Sequence, residues 1–252
     1  MNYLITGATS GLGFEIYKIL KKNVNSKFYI LYRDKKNIKK ISSKNTHLYY
    51  CDLNNSNSLK SALSQISIDS NKKIDVLICN AAIGFKGGFD KTSSKIYSKL
   101  FQVNFYAHIL IIKKILPMML KKNFGHIINI SSTTALFGLS SYSAYSASKS
   151  MLHTVFESLY SENLENNIKI KNFFPGKMST NFDKKNFIST KNYLKSSDPK
   201  FIARVICDNL LTNKFNFFCK NKLFFAFFLK MFPNLLIYLK SFLYSPKEIG
   251  KK

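Results

Sequence analysis

The stretch "NYLITGATSGLG" at residues 2–13 constrains the fold more than any other: an apolar run of strand character passes directly into three glycines and then into an amphipathic segment. A strand that delivers the chain to a glycine-rich turn at the mouth of a helix is the opening of a βα unit shaped to receive a pyrophosphate. Gly7 permits the tight turn, Gly11 lets the backbone approach a phosphate with no Cβ in the way, and Gly13 lets the helix pack close to the strand. The helix N-terminus adds unpaired N–H groups and positive dipole. Glycines in a turn are common, so the loop alone also reads as an ordinary βα connection.

The rest of the chain repeats that alternation. Short apolar runs at 3–6, 27–32, 47–51, 75–79, 126–131, 168–174 and 215–219 read as strands, and amphipathic stretches at 11–22, 56–67, 93–121, 143–165 and 199–211 read as helices. This is the pattern of an α/β fold, a doubly wound parallel sheet of about seven strands with helices on both faces. With 252 residues, 46% of them hydrophobic, the chain is long enough for one such domain. Residues 1–220 are expected to form the nucleotide-binding body, and 221–252 a hydrophobic, basic C-terminal arm of the same domain.

Lys+Arg outnumber Asp+Glu by 39 to 13, a net charge of +26. The lysines are scattered, and Arg33 and Arg204 are the only arginines, so the charge reads as a solvated surface; no RNP, zinc or recognition-helix signature accompanies it, and no nucleic-acid partner is expected. Cys51, Cys79, Cys207 and Cys219 lack CxxC spacing, which points to reduced thiols and a cytoplasmic setting. No basic n-region or cleavage site precedes "NYLITG". His47, His108, His126 and His153 lack metal-ligand spacing, and no metal site is expected.

The second strand ends in "LYRD", where the adenosine ribose of a bound dinucleotide would lie. A carboxylate there suits the 2′-hydroxyl of NAD and a guanidinium the 2′-phosphate of NADP. Both Arg33 and Asp34 are candidates, and Arg33, which comes first, favours NADP(H) over NAD(H).

These segments together resemble the short-chain dehydrogenase/reductases, Rossmann-type single-domain enzymes that use NAD(H) or NADP(H). "TGATSGLG" fits the family's TGxxxGxG loop; "CDL" fits the acidic residue after the third strand; "CNAAIG" fits NNAG, with Cys79 in place of the first Asn and Ala82 preceding Ile83 and Gly84 where Ala-Gly is usual. "NISS" ends the fifth strand thirteen positions before Tyr145 of "YSASK", Asn104 lies in "FQVNFYAH", and "PGKMST" fits PGxxxT. The resemblance spans about residues 3 to 215 and implies a catalytic set of Asn104, Ser132, Tyr145 and Lys149. It implies cofactor contacts from Gly7, Thr9, Ser10, Gly11, Leu12, Gly13, Arg33, Asp52, Leu53, Asn80, Ala81, Tyr145, Lys149, Pro175, Gly176, Met178 and Thr180. Asp52 would bond the adenine amino group, Leu53 would line the adenine site, Thr180 would contact the nicotinamide carboxamide, and Asn104 would anchor a water linking Lys149 to solvent.

The residue chemistry agrees. Tyr145 and Lys149 stand four apart in a helix and share a face. An ammonium beside a phenol, whose unperturbed pKa is near ~10, stabilises the phenolate and brings proton exchange toward neutral pH. Spacing alone favours a core tyrosine with a snorkelling lysine; Ser132 and Asn104 at matching positions reverse that. Ser131, one residue before Ser132, should face the other side of the strand. The expected activity is hydride transfer between NADP(H) and a small carbonyl or alcohol substrate, with Tyr145 as acid and base, Ser132 polarising the substrate oxygen and Lys149 orienting the nicotinamide ribose. The alternative is a catalytically inactive NADPH-binding sensor or assembly protein.

The stretch 176–198 is polar and lies where the family has its mobile substrate loop. Residues 222–244 are rich in Phe and Leu but broken by Lys230, Pro233 and Lys240, and their longest charge-free run is 231–239, too short to span a bilayer. They read as an arm over an apolar substrate pocket or in a homo-oligomer interface, ahead of a peripheral anchor on the inner face of a membrane.

Overall fold

Each apolar run forms a strand in the computed structural model, which describes residues 1–180, 182 and 196–219. The strands are β1 (Asn2–Thr6), β2 (Lys27–Tyr32), β3 (Thr46–Tyr50), β4 (Val76–Cys79), β5 (Gly125–Ile130), β6 (Ile168–Phe174) and β7 (Asn216–Phe218). They form one sheet in the order β3-β2-β1-β4-β5-β6-β7, every pairing parallel. β4 and β5 are buried at every position, as central strands covered on both faces must be, whereas β3, at an edge, has exposed positions. The arm 221–252 and residues 181 and 183–195 of the expected substrate loop lie outside the described residues.

The helices are α1 (Gly11–Leu20), α2 (Ser56–Asp69), α3 (Ser94–Phe101), α4 (Ala107–Lys121), α5 (Ser143–Glu162) and α6 (Pro199–Asp208). α1 and α6 pack on one face of the sheet, and α2, α4 and α5 pack on the other. Helix starts follow local chemistry. The Asn55 side chain accepts the N–H groups of Asn57 and Ser58 ahead of α2, and Asp198 accepts that of Lys200 ahead of α6, with Pro199 in the first position. Beyond α6, the buried Lys171 of β6 donates to the Asn209 carbonyl and to Thr212 Oγ1, satisfying groups the helix end leaves open.

The stretch read as one helix over 93–121 is continuous but not uniform. Between α3 and α4 it widens into a π turn at Gln102–Tyr106. The run Ser94–Lys121 is long and apolar enough to cross a membrane by length and composition, yet Val103, Ala107, Ile111, Ile112, Ile115 and Met119 are buried in the core.

A polar seam crosses this apolar face. Asn129, Asn172 and Asn216 stand in register on β5, β6 and β7. Asn129 Nδ2 donates to Asn172 Oδ1 at 2.9 Å, and Asn172 Nδ2 contacts His153 Nδ1 of α5 at 3.1 Å. Three strands and the helix that carries Tyr145 and Lys149 are thereby tied at one level. Connections reverse direction between β1 and β4, so the crevice for a ligand lies at the carboxyl ends of those strands.

Candidate active site

At the end of β1 the chain turns with Gly7 at φ +69° and Gly11 at φ +59°, conformations that side chains with a Cβ rarely adopt. A β-carbon on Gly7 would lie 2.9 Å from the Ala81 Cα, and one on Gly13 would collide with the Asn80 amide and the Gly7 carbonyl. Gly11 differs: among the described residues, a β-carbon there would meet only the Thr180 side chain, at 3.8 Å, an ordinary contact. Ser10 precedes α1 with extended backbone and makes no side-chain cap bond, and the first turn carries no acidic residue. A glycine turn with no described side chain crowding Gly11, at a helix N-terminus free of acidic residues, fits a dinucleotide pyrophosphate.

The ends of β1 and β4 are laced together. Thr6 Oγ1 accepts the N–H groups of Asn80 and Ala81, each at 2.9 Å, and the Asn80 amide donates to the Thr6 and Gly7 carbonyls at 3.0 and 3.1 Å. Asn80 therefore shapes the glycine loop from behind. Cys79, in place of an asparagine, is fully buried, and burial pushes its thiol well up, opposed by the nearby Lys149 charge.

Asn104 lies in the π turn with no exposed surface. Its Oδ1 accepts the Ile83 N–H at 2.8 Å, while Nδ2 donates to the Ile83 carbonyl at 2.8 Å and to Ser148 Oγ at 3.0 Å. The side chain thus clamps the segment after β4 onto α5. His108, one turn later, reaches the Asn104 main-chain carbonyl at 3.2 Å.

At the end of β5, Ser131 is buried with its hydroxyl unpartnered among the described residues, while Ser132 is half-buried and opens a short 3-10 turn. Ser132 Oγ accepts from the Thr134 N–H at 3.2 Å and from Thr134 Oγ1 at 3.0 Å. Both lone pairs are engaged, which leaves its own hydrogen to be donated. Ser150 of α5 donates to the Ala135 carbonyl at 2.8 Å and holds this turn against the helix.

Tyr145 and Lys149 lie on α5. Lys149 is 4% exposed and its Nζ donates to the Ile130 carbonyl at 2.9 Å, at the end of β5 and just before the two serines. Burial pulls its pKa down to about 8. The Tyr145 ring lies 6.0 Å from the Phe182 ring. After β6, Pro175 is buried, Gly176 turns at φ +72°, and Met178 bridges to Ser197. Arg33 is exposed just past β2, and Asp34 is half-buried, its carboxylate 3.4 Å from the Asn37 amide. Asp52 accepts the Asn54 N–H at 3.0 Å, and Leu53 is buried in the core. Thr9 and Leu12 lie on and behind the loop, half-buried and buried.

Sequence reading missed three side chains that work here. Thr6 precedes the glycine loop, but its role is visible only when β4 lies beside it. Thr134 bonds Ser132 two residues back, and His108 bonds the Asn104 carbonyl one turn back and Thr6 across the fold; no residue pattern announces either.

The short chain dehydrogenase family model matches residues 2–190. A 3-ketodihydrosphingosine reductase of Bacteroides thetaiotaomicron is 33% identical over 183 residues, covering 71% of this chain and 64% of that protein. The chain spans less than two thirds of the length of the first curated relatives it matches. Among solved structures, a short-chain dehydrogenase from Sphingobium yanoikuyae in complex with NADPH superposes with a TM-score of 0.78 at 19% identity, covering 86% of this chain and 87% of that one. One from Burkholderia phymatum in complex with NAD does so with a TM-score of 0.80 at 17% identity, covering 93% and 94%. The structural likenesses speak for the Rossmann-type fold; the sequence match, running from β1 past the "YSASK" helix, establishes that the chain belongs to the short-chain dehydrogenase family.

Proposed function

We propose that this protein is an oxidoreductase that transfers a hydride between NADP(H) and a carbonyl or alcohol substrate, with Tyr145 as general acid and base. The observation that carries the reading is the burial of the Lys149 amine, anchored on the Ile130 carbonyl one helical turn from Tyr145. A buried amine at that place stabilises a phenolate far more than a solvated one would, because the local dielectric is low. Ser132 has its acceptor sites taken by Thr134, so it presents a donor to the substrate oxygen where charge develops. The dinucleotide, when bound, supplies or accepts the hydride. Tyr145 gives its proton to the forming alkoxide in reduction and takes it back in oxidation.

For the cofactor, the exposed Arg33 at the end of β2 supports NADP(H) over NAD(H), since a guanidinium pairs with a 2′-phosphate. The substrate class is an apolar carbonyl compound. The phenylalanine-rich sequence of 222–244 supports this, as does a relative named as a reductase of 3-ketodihydrosphingosine. Four unpaired thiols support a reducing, cytoplasmic setting. Tyr106 and Leu120, exposed on the long helical run, support assembly of identical copies through that face.

The test is oxidation of NADPH against NADH, followed optically, over a panel of ketones and aldehydes. NADPH-dependent turnover is expected, lost in Tyr145→Phe while NADPH binding persists. Undiminished turnover in that variant refutes the role of Tyr145, preference for NADH refutes that of Arg33, and NADPH binding with no turnover of any panel member favours the inactive sensor.

A further inference from the structure

His108 has no part in the chemistry just described, yet it lies in the middle of the apparatus that shapes the nucleotide crevice. It is 1% exposed, on the first turn of α4 after the π turn. Nδ1 lies 3.2 Å from the Asn104 carbonyl, and Nε2 lies 3.4 Å from Thr6 Oγ1. A carbonyl only accepts, so Nδ1 carries the hydrogen. In a neutral ring Nε2 is then an acceptor, and the group in contact with it is the Thr6 hydroxyl.

Thr6 supports that assignment from its own side. Its oxygen already accepts the Asn80 and Ala81 N–H groups at 2.9 Å each, which occupies both lone pairs. The single hydroxyl hydrogen remains, with His108 Nε2 and the Ile78 carbonyl in reach, each at 3.4 Å. Burial, then the Lys149 charge, pull the His108 pKa down to about 4, with the Asn104 carbonyl opposing, so the ring is neutral near pH 7.

We propose that His108 is a positioning residue for the dinucleotide: by accepting the Thr6 hydroxyl hydrogen and donating to the Asn104 carbonyl, it turns the Thr6 lone pairs toward Asn80 and Ala81 and locks the end of β4 against the glycine loop. The chain of contacts runs from α4 through β1 to β4. It ends on Asn80, whose amide holds the Thr6 and Gly7 carbonyls and blocks any β-carbon at residue 13. With His108 replaced by an apolar ring, the hydroxyl has only the Ile78 carbonyl left among the described residues, the Asn104 carbonyl loses its side-chain donor, and the loop is no longer held in one arrangement before ligand arrives. The consequence falls on dinucleotide affinity, because pre-organisation of the crevice is what is lost.

This inference rests on the reading of the crevice as a dinucleotide site, and calorimetric titration of NADP⁺ and NAD⁺ into the full chain separates the two. The wild-type protein is expected to bind one of them. His108→Phe is expected to weaken that binding about tenfold, the scale of one buried hydrogen bond left unmade. Thr6→Val should weaken it at least as much, Thr6→Ser should bind as the wild type does, and Thr6→Val with His108→Phe should be no worse than Thr6→Val alone. A histidine that merely supports the fold would lower the melting temperature and give losses that add. Wild-type affinity in His108→Phe, or additive losses in the double variant, overturns the proposal. If His108→Phe does not fold, His108→Asn replaces it with the same expectations, since asparagine is too short to reach Thr6. A wild-type chain that binds neither nucleotide overturns the crevice reading, and the inference with it.

Discussion

Ser132 illustrates how a side chain's neighbours decide what it can do. Its hydroxyl accepts twice from Thr134, once from the backbone and once from the side chain, so the hydrogen it retains is directed away from that turn. On the proposed function, Ser132→Ala removes the donor to the substrate oxygen, and turnover should fall by roughly 100- to 1000-fold, the range for loss of one such donor. Thr134→Val removes only the side-chain half of the orientation, and turnover should fall by about tenfold, one hydrogen bond's worth. Steady-state assay of both variants with the best ketone from the substrate panel checks the order, and a Thr134→Val loss as large as that of Ser132→Ala would contradict it. Ser132 was legible in the sequence from its spacing to Tyr145 and its place at a strand end. Thr134 was not, because a threonine in a polar turn looks the same whether it orients a neighbour or faces water.

At the scale of elements, the seven strands were legible because each is an apolar run bounded by turn residues, and the helices because their apolar positions recur on one face. The π turn at Gln102–Tyr106 was hidden: it adds one residue to a helical turn without altering composition, and the pattern on either side remains helical. That hidden turn carries Asn104, so sequence placed the residue on a helix but did not show that its side chain would clamp the segment after β4 onto α5. The glycine loop was read more fully. Gly13 has ordinary helical backbone, and alanine there would gain about 1 kcal/mol of helix propensity if space allowed. Space does not allow it, since the β-carbon would collide with the Asn80 amide and the Gly7 carbonyl. Gly13→Ala should therefore lower stability by about 1–3 kcal/mol, the cost of overpacking, and weaken nucleotide binding as well. Urea unfolding measures the first and titration the second; a stabilised variant would mean the loop yields without cost.

For the molecule as a whole, acid sensitivity should come from buried imidazoles, with carboxylates secondary. The chain has 13 acidic residues against 39 basic ones, and the described pairs are sparse: Glu15 with Lys18, Asp75 with Lys122, and Glu157 with His153 when that ring is protonated. Two histidines are held neutral by the fold. Burial, then the Lys149 charge, pull His108 down to about 4; burial, then Lys171 and Lys169, with Lys122 adding and Asp75 opposing, pull His126 down to about 4. A ring with a folded pKa below its unfolded value near ~6.5 takes up its proton only on unfolding. The stability that these two neutral rings leave intact is therefore full above pH 6.5 and drains away as pH falls toward 4, where the folded rings protonate too. His108 should contribute about 2–3 kcal/mol of this loss between pH 7 and 4.5, and His126, less fully enclosed and more screened by solvent, somewhat less. Urea unfolding across that interval should show the decline, and His126→Phe should remove close to half of it while leaving the remainder, due to His108, in place. A decline of unchanged size in His126→Phe would assign acid sensitivity to self-repulsion of the +26 chain instead, which 0.5 M salt would suppress in the wild type, since screening weakens repulsion between surface charges and leaves the desolvation of a buried ring untouched.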